Sequence, residues 1–232
     1  MRCNDGVVLV ADTKVLRGSV SFNGDKLVQI LPNVIMGGAG TSAILERFSD
    51  ELTMKVREDE ITNDKEFFQY VEDRSLDLHN RYSSRGGAID VVIGIRAGIN
   101  AELFNIATQN GIAEPIKTYI TLGSGEPYGS FLLRQLWNKD LTMIEGAKIA
   151  YATINYVIHF NLDESVGGEP QVWFIPDILE VGKTREESDA NYPIREAKTE
   201  EMVKIKTYSD NISSRLGLFF EDLKKPISSV SK

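Results

Sequence analysis

The sequence predicts an α+β protein, four layers deep in the order α-β-β-α. Three observations carry this expectation. Short apolar stretches of the kind that form strands occur near the N-terminus, over residues 89–122 and again over 171–175. Between these blocks apolar residues recur at helical spacing, with charged residues on the intervening positions. The blocks therefore run strands, two helices, strands, two helices, strand, which favours segregated layers over alternating βαβ units. Two packed sheets with a helix pair outside each would bury every apolar face.

Val7–Ala11 is a short apolar run between Asp5-Gly6 and Asp12, which reads as a buried strand. Val20–Phe22 and Leu27–Ile30 flank Asn23-Gly24-Asp25, a hairpin signal because Asn-Gly accepts positive φ. Val34–Met36 reads as a strand ending in Gly37-Gly38-Ala39-Gly40, with Thr41 or Ser42 placed to cap a helix. Ile44, Leu45, Phe48, Leu52 and Val56 form that helix's apolar stripe. A second helix from Asn63 or Asp64 carries Phe67, Phe68, Val71 and Leu78. Ile89–Ile95, Ala101–Ala107 and Lys117–Leu122 read as strands separated by Gly- and Asn-rich turns. Glu126-Pro127 opens a helix, with Phe131, Leu132, Leu136 and Trp137 expected on its buried side. Leu141-Thr142 opens a longer one, and Gln171–Ile175 is a strand with Val172 and Phe174 on one face.

The expected organisation is one domain over residues 1–176, a surface linker over 177–194, a C-terminal helix over 195–223 and a tail over 224–232. Ile205, Ile212 and Phe219 are seven residues apart in that helix. The spacing fits a helix docked on its own domain, or a coiled-coil-like contact with another subunit.

Hydrophobic residues make up 42% and charged residues 26% of the 232, the balance of a soluble globular chain. No apolar run is long enough to span a bilayer and no secretory signal opens the chain. The expectation is a cytoplasmic protein, and the single cysteine, Cys3, fits a reducing compartment. A net charge of −8 argues against a general nucleic-acid binder, which needs a basic face.

Metal and cofactor motifs are missing. Two histidines, His79 and His159, stand far apart, and neither HExxH nor CxxC occurs. The Gly37–Gly40 run lacks both the Lys-Ser/Thr of a P-loop and the GxGxxG spacing. Ser124 in Gly-Ser-Gly does not make the GxSxG of a nucleophile elbow. No cofactor and no metal are therefore expected.

Five small motifs in order carry more. They are Asp5 to Lys14, Gly24 to Ile30, Gly38-Ala39-Gly40, Tyr119 to Gly125, and Asp163 with Gly167-Gly168. Together they resemble a proteasome β-type subunit, from Asp5 to Ile175. Glu126-Pro127-Tyr128 also resembles the bacterial HslV-type peptidase. The resemblance implies the sandwich of the N-terminal-nucleophile hydrolases and a threonine peptidase in a closed ring. It would be built with copies of itself or related subunits and would act on unfolded peptides. An ATPase unfoldase is a further partner that the resemblance allows.

In that family a terminal Thr supplies a nucleophilic hydroxyl and an α-amino base with an ordinary pKa near 7.7–8.0. By resemblance Asp12 and Lys26 would sit beside it, the lysine favouring proton loss and the aspartate holding the lysine. Gly40 would offer its N–H to the oxyanion. Ser124 and Asp163 would orient the amine and a water. Gly38 would open the pocket for the residue before the scissile bond.

The chain departs from the pattern in four places. No Thr precedes Asp5, so the chain as written is expected to lack the family's reaction. Three readings stay open: a start upstream of Met1, a noncatalytic scaffold subunit, or another nucleophile. A transpeptidase or ligase on the same fold is a further alternative. Ile44 stands where the family has an Asp, and Val166 where many members have a Ser, with Ser165 adjacent. Everything after Asp177 lies outside the minimal family core.

Overall fold

The computed structural model describes residues 1–17, 20–58, 60–61, 63–85, 87–107, 109, 111–178 and 193–224. Strand β1 (Arg2–Cys3) turns through Asn4-Asp5 into β2 (Gly6–Ala11). β3 (Lys14–Arg17) and β4 (Val20–Asn23) form a small sheet of their own. β5 (Leu27–Leu31), β6 (Val34–Gly40), β7 (Ile89–Ala97), β8 (Asn100–Ala107) and β9 (Ile112–Pro115) make an antiparallel sheet in that order. β10 (Gln171–Pro176) lies between β2 and β11 (Arg195–Glu196), giving a second sheet in the order β1-β2-β10-β11. Helices α1 (Ser42–Arg57) and α2 (Asp64–Tyr82) separate β6 from β7. α3 (Glu126–Leu136) and α4 (Met143–His159) precede β10, and α5 (Thr199–Lys224) follows β11.

Three apolar clusters define the four layers. Phe48, Leu52, Phe67, Val71 and Leu78 of the first helix pair pack on Val91, Ile93, Ile95 and Ile106 of the five-stranded sheet. Val7, Leu9 and Ile175 meet Leu27, Ile35 and Leu103 between the sheets. Val8, Val172 and Phe174 meet Leu133, Ala147, Tyr151 and Ile205 of the later helices. Strand alternation splits neighbours cleanly: Val7 and Leu9 face the other sheet, while Val8 faces the helices. The fold is the α-β-β-α sandwich that the block order predicts.

Four local expectations need correction. Asn23-Gly24 does not close a hairpin between β4 and β5. β4 pairs with β3, and Gly24 is not among the positive-φ glycines that such a turn needs. The Gly24 N–H instead donates to the Thr13 carbonyl, 2.8 Å, and the chain crosses to the large sheet. Residues 118–122 form no strand, although the Thr118 carbonyl accepts from Arg2 N, 2.7 Å. α3 buries Gly129 and Leu133, four residues apart, and leaves Phe131 67% exposed and Leu136 exposed. The last helix starts at Thr199, because Arg195-Glu196 pair with Phe174-Trp173 as β11. It packs along α4, joined by Asn155 Nδ2 donating to the buried Ser209 hydroxyl, 2.9 Å. Most of the expected linker and nearly all of the expected tail, residues 179–192 and 225–232, lie outside the described residues.

Candidate active site

The site is built where β2, β5, β6 and two loops end together. Lys26, just before β5, donates from Nζ to Asp12 Oδ1 at 2.7 Å, and both side chains are partly buried. Asp12 Oδ2 accepts from Lys14 N at 3.2 Å and from Gly167 N at 3.0 Å. The aspartate therefore ties the end of its own strand to the loop after α4 and still holds the lysine.

That loop leaves α4 through Asn161, whose φ of 47° is left-handed. It is laced to residues 13–14. The Gly167 carbonyl accepts from Thr13 N and Lys14 N, and the Glu169 carbonyl from Thr13 Oγ1. Lys14 Nζ donates to the Glu164 carbonyl. Within the loop Asp163 Oδ1 accepts from Ser165 N at 2.8 Å and from Ser165 Oγ at 2.6 Å. The Ser165 hydroxyl also meets the Ser124 hydroxyl. The Ser165 hydroxyl bond, above all, holds the Asp163 carboxyl below its ordinary value.

Gly40 ends β6 at φ +116°, and a Cβ there would stand 2.2 Å from the Ala88 carbonyl oxygen. Only glycine fits without moving the strand beside it. The Gly123-Ser124-Gly125 turn lies against this strand end, a Cβ at Gly123 coming 3.3 Å from Ala39 Cβ. At Gly38 a Cβ would meet Leu45 Cδ2 at 2.6 Å. Leu45 of α1 thus lies directly against Gly38.

One cavity of about 1140 Å³ is lined by Asp12, Lys26, Gly38, Gly40, Ser124 and Ser165. Asp163 is tied to this group by Ser165 and by Ser124. The cavity continues along β2 past Ala11 and Val10 to Met1, and α3 and α4 floor it with Leu133, Ala150, Ile154 and Val157. Ile120, Thr121 and Leu122 line it as well. Sequence reasoning missed Ser165: it took Val166 as the aligned position, and the serine one place earlier makes the contacts. The repeated partners of Asp163 could have been found only from the loop's shape. Among the described residues no group of three or more His, Cys, Asp or Glu is placed to hold a metal ion. No helix among them is long and apolar enough to cross a membrane.

An α-β-β-α sandwich with a polar cluster at one end of its strands defines the N-terminal-nucleophile hydrolase type of fold. A solved structure of Anbu, the ancestral β-subunit from Yersinia bercovieri, superposes on it with a TM-score of 0.72. It covers 97% of this chain and 96% of that one at 17% identity. The proteasome subunit family matches residues 1–173, and the chain belongs to that family. Two relatives of β type match it. The proteasome subunit beta of Methanosphaera stadtmanae is 29% identical over 155 residues, 66% of this chain and 73% of that protein. The proteasome subunit beta type-2 of Saccharomyces cerevisiae is 28% identical over 189 residues, 80% of this chain and 69% of that protein.

Proposed function

We propose that this protein is a peptide-hydrolysing β-type subunit whose nucleophile is a threonine carried N-terminal to Met1. The carrying observation is the course of the cavity along β2. Met1 N donates to the Val8 carbonyl at 2.8 Å and the Met1 carbonyl accepts from Val8 N at 2.9 Å. By strand alternation Val10 turns its N–H and C=O to the same side as Val8, and Val10 lines the cavity. Arg2 pairs with Val7 and Cys3 with Gly6, so each step upstream moves one residue along β2. One place before Met1 stands opposite Leu9, and five places before it stands opposite Thr13, beside Asp12. Residues 119–122 would then gain the ladder partner that their strand-like sequence expects.

A terminal threonine there would lie beside the Lys26 ammonium, which favours loss of the hydroxyl proton. Its amine would serve as base and be oriented by the Ser124-Ser165-Asp163 chain. Gly40 N–H would stabilise the tetrahedral oxyanion. The subunit would act in the cytoplasm, in a ring with copies of itself or related subunits. Unfolded peptides would be its substrates, and an ATPase unfoldase would feed it. The test is the N-terminal sequence of the mature natural protein, followed by peptide hydrolysis with and without Lys26→Ala. A mature threonine five places before Met1 and a loss of about 100-fold or more in kcat are expected. A ring that carries that threonine yet cleaves nothing in a broad peptide panel would make the protein a scaffold. Cleavage captured by an added amine in place of water would make it a transpeptidase.

A further inference from the structure

The loop after α4 carries Asp163 and Ser165 in its first half and Gly167 in its second, and the two halves are held to residues 12–14 by different means. Main-chain bonds lace the second half. The Gly167 carbonyl accepts from Thr13 N at 3.0 Å and from Lys14 N at 2.9 Å, and Gly167 N donates to Asp12 Oδ2 at 3.0 Å. Among the described residues, one group reaches the first half from that side: the Lys14 ammonium, which donates to the Glu164 carbonyl. To get there the lysine stem crosses Gly167. A Cβ at 167 would stand 2.9 Å from Lys14 Cδ and 3.5 Å from Lys14 Cβ, so the glycine leaves the stem its path.

We propose that Lys14 is a positioning residue for the site: its ammonium fixes the first half of the loop, so that the Ser165 hydroxyl meets both Asp163 and Ser124. The inference rests on the hydrolytic reading above for its effect on rate, though not for its geometry. The Glu164 carbonyl and Ser165 N belong to one rigid peptide plane. Ser165 N in turn donates to Asp163 Oδ1 at 2.8 Å. A hold on that carbonyl is therefore a hold on the N–H that anchors the aspartate. The bond is charge-assisted, and stronger than one between neutral groups. The charge also acts at a distance. The Ser165 hydroxyl bond does most to hold the Asp163 carboxyl below its ordinary value, and the Lys14 charge adds to it. Small errors in the placing of reacting groups are costly in rate, so a loosened loop should be felt there.

Two variants break this hold at different points and a third keeps it. Lys14→Met retains a stem and removes the donor. Gly167→Ala retains the donor and blocks the stem. Lys14→Arg retains a cationic donor. In crystal structures of the 232-residue chain, the Ser165 hydroxyl should leave Ser124, beyond about 3.5 Å, in Lys14→Met and in Gly167→Ala. The bonds of Gly167 to Thr13 and Asp12 should survive in Lys14→Met, and Lys14→Arg should keep the native arrangement. A Ser165 hydroxyl that stays on Ser124 in Lys14→Met would overturn the proposal. So would loss of the Gly167 bonds in that variant, which would make the lysine a brace for the whole loop. If Lys14→Met fails to fold, the Ser165 position in Gly167→Ala carries the same decision. In the natural chain with its terminal threonine, Lys14→Met should lower kcat about 10- to 100-fold with KM within about twofold, and Lys14→Arg should recover most of the loss. Lys14→Met combined with Gly167→Ala should lose little more than the worse single variant, because both break one hold. Losses that multiply, or a loss carried by KM, would overturn the proposal. If the natural chain cleaves no peptide at all, the hydrolytic reading fails, while the crystallographic comparison still decides the role of Lys14.

Discussion

Ser165 is the main hydrogen-bond partner of Asp163, which Ser124 also helps to hold. Its hydroxyl donates to Asp163 and meets Ser124, and its N–H donates to the same carboxylate oxygen. A carboxyl held below its ordinary value contributes stability above the usual carboxylate range and loses that contribution as pH falls through the folded value. Ser165→Ala should therefore raise the titration midpoint of Asp163 toward about 3.9, read by carbon-13 NMR of the carboxyl. An unmoved midpoint would show that the serine does not hold the aspartate. Gly40→Ala makes a second residue-scale prediction. Left-handed backbone and a Cβ at 2.2 Å from the Ala88 carbonyl oxygen should lower unfolding free energy by about 2 kcal/mol or more, measured by urea denaturation. The sequence names Asp12, Lys26, Gly38, Gly40, Ser124 and Asp163 through the family resemblance carried by short motifs in order. Ser165 has no such marker, since a loop's register follows no period.

Among elements, α3 shows how a short apolar run misleads. Phe131 and Leu132 precede Leu133, and an eleven-residue helix gives the 3.6 period little length to declare itself. The inward row is Gly129 and Leu133, where Gly129 closes on Thr121. Leu133→Ala should cost about 2–4 kcal/mol in chemical denaturation, whereas Phe131→Ser should stay within about 0.5 kcal/mol. Equal effects would reverse the assignment of the two faces. β1 carries a different prediction. The amine at Met1 is fully buried, and burial pulls it from 8.0 to about 6. Between those values the unfolded 232-residue chain binds more protons than the folded one, so stability rises with pH across that window. The span is about 3 kcal/mol at most. Melting curves from pH 6 to 8 should show the rise, and acetylation or extension at Met1 should remove it.

At the scale of the molecule, the two sheets meet through a thin apolar layer in which Gly94 faces Ile175 and Leu9. A Cβ at Gly94 would come 2.3 Å from Ile175 Cδ1 and 3.1 Å from Leu9 Cδ1. Gly94→Val should therefore push the sheets apart and lower the melting temperature, by several degrees for each kcal/mol lost. An unchanged melting curve would mean that the layer can repack. The four-layer order is legible in the sequence because helix and strand periods differ so plainly. Partner choice among strands is not. Asn23-Gly24 carries a hairpin's local chemistry, yet Gly24 N–H is taken by the Thr13 carbonyl, and the N–H groups of Lys26 and Leu27 by Gln171, remote in the chain. The site is half legible for the same reason. Its residues lie near recognisable breaks, but the bonds that align them run between sheets.

Val10 has a meaning for handling the protein as well as for its chemistry. A strand edge that shows its N–H and C=O to a roomy groove is a template for any extended chain that arrives. An extended segment of a second molecule would meet the same edge. Preparations of this chain should then form oligomers with time and concentration. A short peptide matching the strand's register, added during refolding, should act as a plug that keeps the molecules apart.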